Sequence, residues 1–187
     1  MKLKNVSIAV ALLGISFTSC KKNSSSSDPS SVAAKASFTI DGGGFAKQTI
    51  TITGGKAGTS YLSYWTKYDV TTLSIDDAPN INSDAKNDLD IILKGKSTGE
   101  QHAGDDAGGS YPSIDFNLHV TDKQGVLHDF LFGDPANTPG IITITKYGAV
   151  GQAVEGTFSG TLLDEDGAPT IKITNGTFSI TRGIDMQ

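Results

Sequence analysis

From Ala36 onward, apolar and polar residues alternate with a period of two. In "SIDFNLHVTD", Ile114, Phe116, Leu118 and Val120 take one face, and Asp115, Asn117, His119 and Thr121 take the other. This is the pattern of a strand with one side on a core and one in solvent. "VEGTFSGTL" repeats it, with Val154, Phe158 and Leu162 on one side and Glu155, Thr157, Ser159 and Thr161 on the other. Gly156 and Gly160 interrupt the apolar face, and glycine inside a strand marks a bulge or bend, so this strand is expected to curve. Further runs at Ser37 to Ile40, Gln48 to Thr53, Tyr61 to Lys67, Thr71 to Ile75, Leu89 to Lys94 and Ile141 to Tyr147 also read as strands. No segment carries a helical period through three turns.

Turn residues connect the runs. Asn175 and Gly176, set between "IKIT" and "TFSIT", predict a hairpin, because a type I′ turn requires positive φ at both central positions. Asp122 to Gly125 joins "IDFNLHVT" to "VLHDFLF", and Asp166 with Gly167 turns the chain between "GTFSGTLL" and "PTIKIT". About eleven short strands result. The expected fold is all-β: a single antiparallel β-sandwich or partly closed β-barrel of about 9–11 strands.

Composition agrees and narrows the functions. A chain of 187 residues with 22 glycines against 6 prolines suits one turn-rich domain, large enough to bury a core without disulfides. Setting aside Lys2 and Lys4 takes the net charge from −5 to −7. Nucleic acid is therefore not an expected partner, since phosphate-backbone binding needs a basic patch.

The first residues break the period-two pattern. "MKLKNVSIAVALLGISFTSC" has a two-lysine start, an apolar stretch from Val6 to Phe17, and the small residues Thr18 and Ser19 before Cys20. That order is the form of a signal peptide, and the apolar stretch falls short of the roughly 20 residues a spanning helix needs. Cys20 is the one cysteine of the chain. Its place at the end of the apolar run is explained neither by a free thiol nor by half of an intermolecular disulfide.

"FTSC" resembles the lipobox of bacterial lipoproteins, in which the cysteine thiol is acylated and becomes the first residue of the mature chain. Phe17 stands where leucine is usual, a change common in lipoproteins of the Bacteroidetes. The resemblance implies a lipidated Cys20, and two or more acyl chains at about 0.8 kcal/mol per buried methylene anchor a protein stably. Residues 1–19 would then be removed, residues 20–35 would carry the lipid and a flexible serine-rich linker, and residues 36–187 would form the domain. The same resemblance implies the outer membrane, because Lys21 rather than aspartate follows the cysteine, and its periplasmic face over the cell surface, because only Asp28 stands where surface-exported relatives carry an acidic cluster.

The C-terminal part carries a second resemblance. Ile142 to Tyr147, Val154 to Leu162 and Ile173 to Arg182 are similar to the "I-T-I-T-x-Y", "V-x-G-x-F-S-G-T-L" and "I-T-N-G-x-F-x-I-x-R" strands of a group of Bacteroidetes lipoproteins of unassigned function. This likeness implies a β-rich domain on a lipid anchor and no catalytic residue.

Candidate chemistry is sparse. His102, His119 and His128 lack a zinc spacing; His119 and His128 flank one hairpin and could approach each other if registered through it, but they read as two solvated strand histidines. No nucleophile elbow is present. "LDEDGAP" with Asp164, Asp166 and Gly167, and "HAGDDAGGS" with Asp105 and Asp106, hold fragments of a calcium loop and read as turns. No metal and no cofactor is expected. "YLSYWTKY" is the best binding candidate: as a strand it sets Tyr61 and Trp65 on one face and Tyr64 and Tyr68 on the other. An exposed aromatic pair stacks on sugar rings or on a partner protein. The segment from Gly99 to Ser110 lacks a strand pattern and is expected to be a loop. The expected function is a lipid-anchored, non-enzymatic module for a glycan or an envelope protein. The alternative is a hydrolytic or glycan-processing accessory with a carboxylate or histidine site.

Overall fold

The structure, a computed structural model, describes residues 33–54, 59–80, 83–107, 113–132, 140–164 and 171–187. Cys20, the expected signal segment and residues 20–32 of the expected linker lie outside the described residues, as do Asp166 and Gly167, whereas Ala34 and Lys35, expected in that linker, pair with Ile180 and Ser179 as the start of the first strand.

Twelve strands follow one another: β1 (Ala34–Gly42), β2 (Phe45–Thr53), β3 (Tyr61–Trp65), β4 (Val70–Asp76), β5 (Asn87–Lys94), β6 (Gly99–His102), β7 (Asp115–Thr121), β8 (Leu127–Phe132), β9 (Ile141–Tyr147), β10 (Ala153–Asp164), β11 (Ile171–Thr181) and β12 (Asp185–Met186). They form one hydrogen-bonded sheet in the order β12-β3-β4-β5-β7-β8-β10-β11-β1-β2, with β9 also on β10 and β6 on β9. All pairings are antiparallel except that of β12 with β3. The chain is all-β, and the sheet is open. It also curls, so that β1 and β2 lie over β4 and β5 with the core between them.

Alternation explains the core. Phe38 and Ile40 of β1 and Ile52 of β2 point inward with Leu73 and Ile75 of β4 and Leu89 and Ile91 of β5, all of them buried. Phe158 of β10 sits among rings, with its centroid 5.8 Å from Phe38, 5.5 Å from Phe116 and 6.5 Å from Phe178. Offset and edge contacts of this kind add to the area these side chains bury.

The long β10 is where the sheet forks. Val154 to Ser159 pair with β9, and Leu162 to Asp164 pair with β8, both on the side away from β11. Gly160 stands at the fork, where a Cβ would lie 2.9 Å from the Cα of Gly140 and 3.1 Å from the Phe116 ring. The backbone leading into β9 and the Phe116 ring of β7 close in there, which is what the glycine accommodates.

Three sequence expectations are corrected. Asn175 and Gly176 make no hairpin: they lie inside the single strand β11 and form a bulge. Across β10, Phe158 pairs with Gly176 and Gly160 with Ile173, and across β1, Ser37 pairs with Thr177 and Thr39 with Thr174. Three steps of β11 thus match two steps of each neighbour. Asn175 takes a φ of 54°, and Gly176 is required because a Cβ would lie 2.3 Å from the Phe158 carbonyl oxygen. Long ladders on both flanks outweigh the local turn preference. Second, residues Gly99–His102 are not loop but β6, paired with β9 from Gly99 opposite Ile144 to His102 opposite Ile141. Its side chains are largely exposed, so a backbone ladder holds it and no burial period marks it. Third, the strand begun at Tyr61 ends at Trp65 and turns through residues 66–69, with Asp69 at a φ of 55°. Fusing two expected strands into β11 and adding β6 and the two-residue β12 gives twelve rather than 9–11.

Candidate functional site

The outer face of β3, β4, β5, β7 and β8 carries most of the polar chemistry. Antiparallel register aligns it in rungs: Asp76, Asp88, His119 and Asp129 on one, and Tyr61, Ser74, Asp90 and Asn117 on the next. Because side chains alternate between faces, each rung presents its members side by side. Leu89, Ile91 and Leu93, between and beyond these positions on β5, point inward and fix the outward aim of Asp88 and Asp90.

At one end of this face is an aromatic-lined groove of about 370 Å³, bordered by Tyr61, Trp65, Thr72, Asp90, Ile92 and Asn117. Tyr61 is 46% exposed. The Trp65 indole N–H donates to the Thr72 hydroxyl at 3.2 Å, which holds the ring against the sheet. The other two aromatic candidates lie elsewhere. Tyr64 is buried, donates its hydroxyl hydrogen to Asp69 at 2.7 Å and has Lys96 4.5 Å from its ring centroid. Tyr68 lies in the turn after β3 and packs on the core. Of the aromatic set, Tyr61 and Trp65 alone line the groove.

Adjoining the groove through Asp90, the side chains of Asp88, Asp90 and His119 gather ligand atoms within 4.8 Å of one another. The Ser74 hydroxyl donates to Asp88 at 3.2 Å, and His119 Nδ1 is hydrogen-bonded to the Asp129 carboxylate. Burial and the neighbouring Asp90 push the Asp88 carboxyl up to about 7 from an ordinary 3.8. Burial also raises Asp90, and it lifts Asp115 to about 6. Asp115 Oδ1 and Asn117 Oδ1 are closed to solvent and lack a hydrogen-bond partner among the described residues. Among the described residues, none of these acidic groups forms an ion pair with lysine or arginine.

The approach of His119 to His128 that registration through the hairpin left open does not occur. His119 pairs with Asp129 and His128 with Val120, so the two rings project from opposite faces. His128 turns toward Phe45 and stacks on Phe130 at 5.8 Å, with its Nε2 3.2 Å from Asp122. The hairpin between them is as expected: the Asp122 carboxylate accepts the Gln124 and Val126 amides, each at 2.8 Å. His102 contacts Glu100 at 2.9 Å on the exposed β6. Asp105 and Asp106 are exposed beside β6, where the Ile114 amide donates to the Asp105 carbonyl at 2.7 Å.

The carboxylates that matter on this face were therefore not those in the glycine-rich loops. The signal present in the sequence is "DLDI", which puts two acids on the polar side of a strand. No family model matches the chain, and neither a curated protein nor a solved structure matches it. The lipoprotein likeness thus rests on the motifs at Cys20 and in the C-terminal strands.

Proposed function

We propose that the chain is a lipid-anchored envelope protein whose β-domain binds a glycan on the outer face of β3, β4, β5 and β7. The observation that carries the binding reading is the Tyr61 and Trp65 pair lining one groove with Asp90, Asn117 and Thr72. Sugars present apolar CH faces and rings of hydroxyls; aromatic rings take the first, and side-chain carboxylates, amides and hydroxyls the second. A groove that offers both along a rigid sheet is suited to an extended saccharide.

Binding is favoured over hydrolysis by the placing of the acids. Asp88 and Asp90 stand two apart on one strand and project the same way, whereas acid and base catalysis on a glycoside needs carboxyl groups flanking the scissile bond. Anchorage rests on Cys20 and its lipobox-like setting, with the outer membrane and its periplasmic face as the location.

The test of binding is a glycan array probed with the full chain in detergent, with Trp65→Ala alongside. Retention of a saccharide by the parent chain and its loss in the variant is expected; equal signals from both would remove the reading. Anchorage is tested by mass spectrometry of the mature N-terminus. An acylated Cys20 is expected, and a mature chain that begins elsewhere or carries an unmodified Cys20 would refute it.

A further inference from the structure

Asp88, Asp90 and His119 have the makings of a metal centre rather than of a structural charge pair. Half-buried carboxylates are normally neutralised by lysine or arginine, and here the four acids Asp76, Asp88, Asp90 and Asp115 have no such ion pair among the described residues. The imidazole narrows the class of ion. Calcium and magnesium prefer all-oxygen shells, whereas imidazole with carboxylate suits first-row transition ions.

Two observations outside these three residues point the same way. Asp129 holds His119 Nδ1, which sets the tautomer and leaves the Nε2 lone pair for a metal; a carboxylate on the far nitrogen is the usual support of a ligating histidine. Asn117 Oδ1, one rung away and opposite Asp90, is sealed from solvent with no donor among the described residues. An acceptor left so is costly, and a metal-bound water on this face supplies the missing hydrogen.

We propose that Asp88, Asp90 and His119 bind one first-row divalent transition ion, with Asp129 and Ser74 positioning the ligands. Three protein ligands leave a fourth position for water or a ligand oxygen, as in open zinc sites. Bonds of 2.0–2.1 Å set tetrahedral ligand atoms about 3.4 Å apart, so binding draws the carboxylates inward by side-chain rotation on a fixed sheet. Asp90 also borders the aromatic groove, which sets the open position beside whatever the groove holds. The site stands on different residues from the Tyr61 and Trp65 pair and does not rest on the glycan reading.

The experiment uses the chelator-treated full chain in detergent, titrated with Zn2+ by calorimetry and with Co2+ by visible absorption, with no sugar present. One saturable site is expected, weakened at least tenfold by His119→Ala and by Asp88→Asn and unchanged by His102→Ala. Cobalt bands are expected in the parent and not in His119→Ala. Asp88→Asn keeps the side-chain shape, and its melting curve establishes that it is folded. Absence of saturable Zn2+ uptake, uptake that survives both variants, or calcium competing on equal terms would overturn the proposal.

Discussion

Asp88 and His119 face each other across one rung of the β5–β7 ladder, although β6 and its flanking loops lie between them in the chain. The rung continues to Asp129 on one side and Asp76 on the other, so four titratable groups share a line across the sheet. Within that row the charges of His119 and Asp76 act on Asp88 in opposite senses, the first lowering and the second raising it.

The first consequence is a pH dependence. Asp88 is raised to about 7 and Asp115 to about 6, and Asp90 is raised as well. The folded chain therefore holds protons that the unfolded chain has released, and stability falls as pH rises from the ordinary carboxylate range through these values. Metal-free protein is expected to melt higher at pH 5 than at pH 8, with Asp88→Asn flattening the difference. A melting temperature that is flat or rises over this range in the parent would contradict the assignment.

A second concerns Trp65. The indole is half-exposed and bonded to Thr72 on the outer face, so its removal opens the groove without cutting into the core. Stacking worth about 0.5–1.5 kcal/mol corresponds to a loss of saccharide affinity of up to roughly tenfold. Trp65→Ala is expected to show that loss in a binding titration while its denaturant midpoint stays near the parent's.

The bulge in β11 supplies a third. A Cβ at Gly176 would lie 2.3 Å from the Phe158 carbonyl oxygen and 2.8 Å from its ring, and that ring is wedged among Phe38, Phe116 and Phe178. Gly176→Ala is expected to destabilise by about 1–3 kcal/mol, read as a lower midpoint in urea. Asn175→Gly, at a φ of 54°, is expected to be near neutral.

Arg182 is the fourth. Its buried guanidinium donates to the Gly148 carbonyl at 3.1 Å, pairs with Asp185 and lies 5.1 Å from the centre of the Tyr147 ring. Arg182→Met keeps the aliphatic length and loses these bonds, at an expected cost of about 2 kcal/mol, because Lys96 still reaches Asp185 at 3.7 Å. Hydrogen exchange should quicken at the Thr66 amide, which donates to Met186 at 2.9 Å and reports whether β12 stays on β3.

The fold class was legible because alternation is a local signal: Phe116, Leu118 and Val120 declare their face without knowledge of any neighbour. The Asp122 to Gly125 hairpin was legible for the same reason, since its own residues supply the turn. Asn175 and Gly176 misled because their conformation is set by β1 and β10, which are remote in sequence. The acidic rung was hidden by register. Asp88, Asp90 and His119 are each ordinary polar-face residues, and only the pairing of β5 with β7, skipping β6, brings them together. Tyr64 and Tyr68 were separable from Tyr61 and Trp65 by alternation, but the early end of β3 at Trp65 was not.

The fork in β10 bears on how this domain tolerates inherited change. One strand serves β9 from Val154 to Ser159, β8 from Leu162 to Asp164 and β11 from Ala153 to Leu162. A single inserted or deleted residue within it would invert the facing of every later side chain and misalign three partners at once. The exposed tip at residues 123–125 has no such obligation. Length variation among descendants of this sequence is thus expected to gather at that tip and to spare the stretch from Val154 to Leu162, even where the residues themselves diverge.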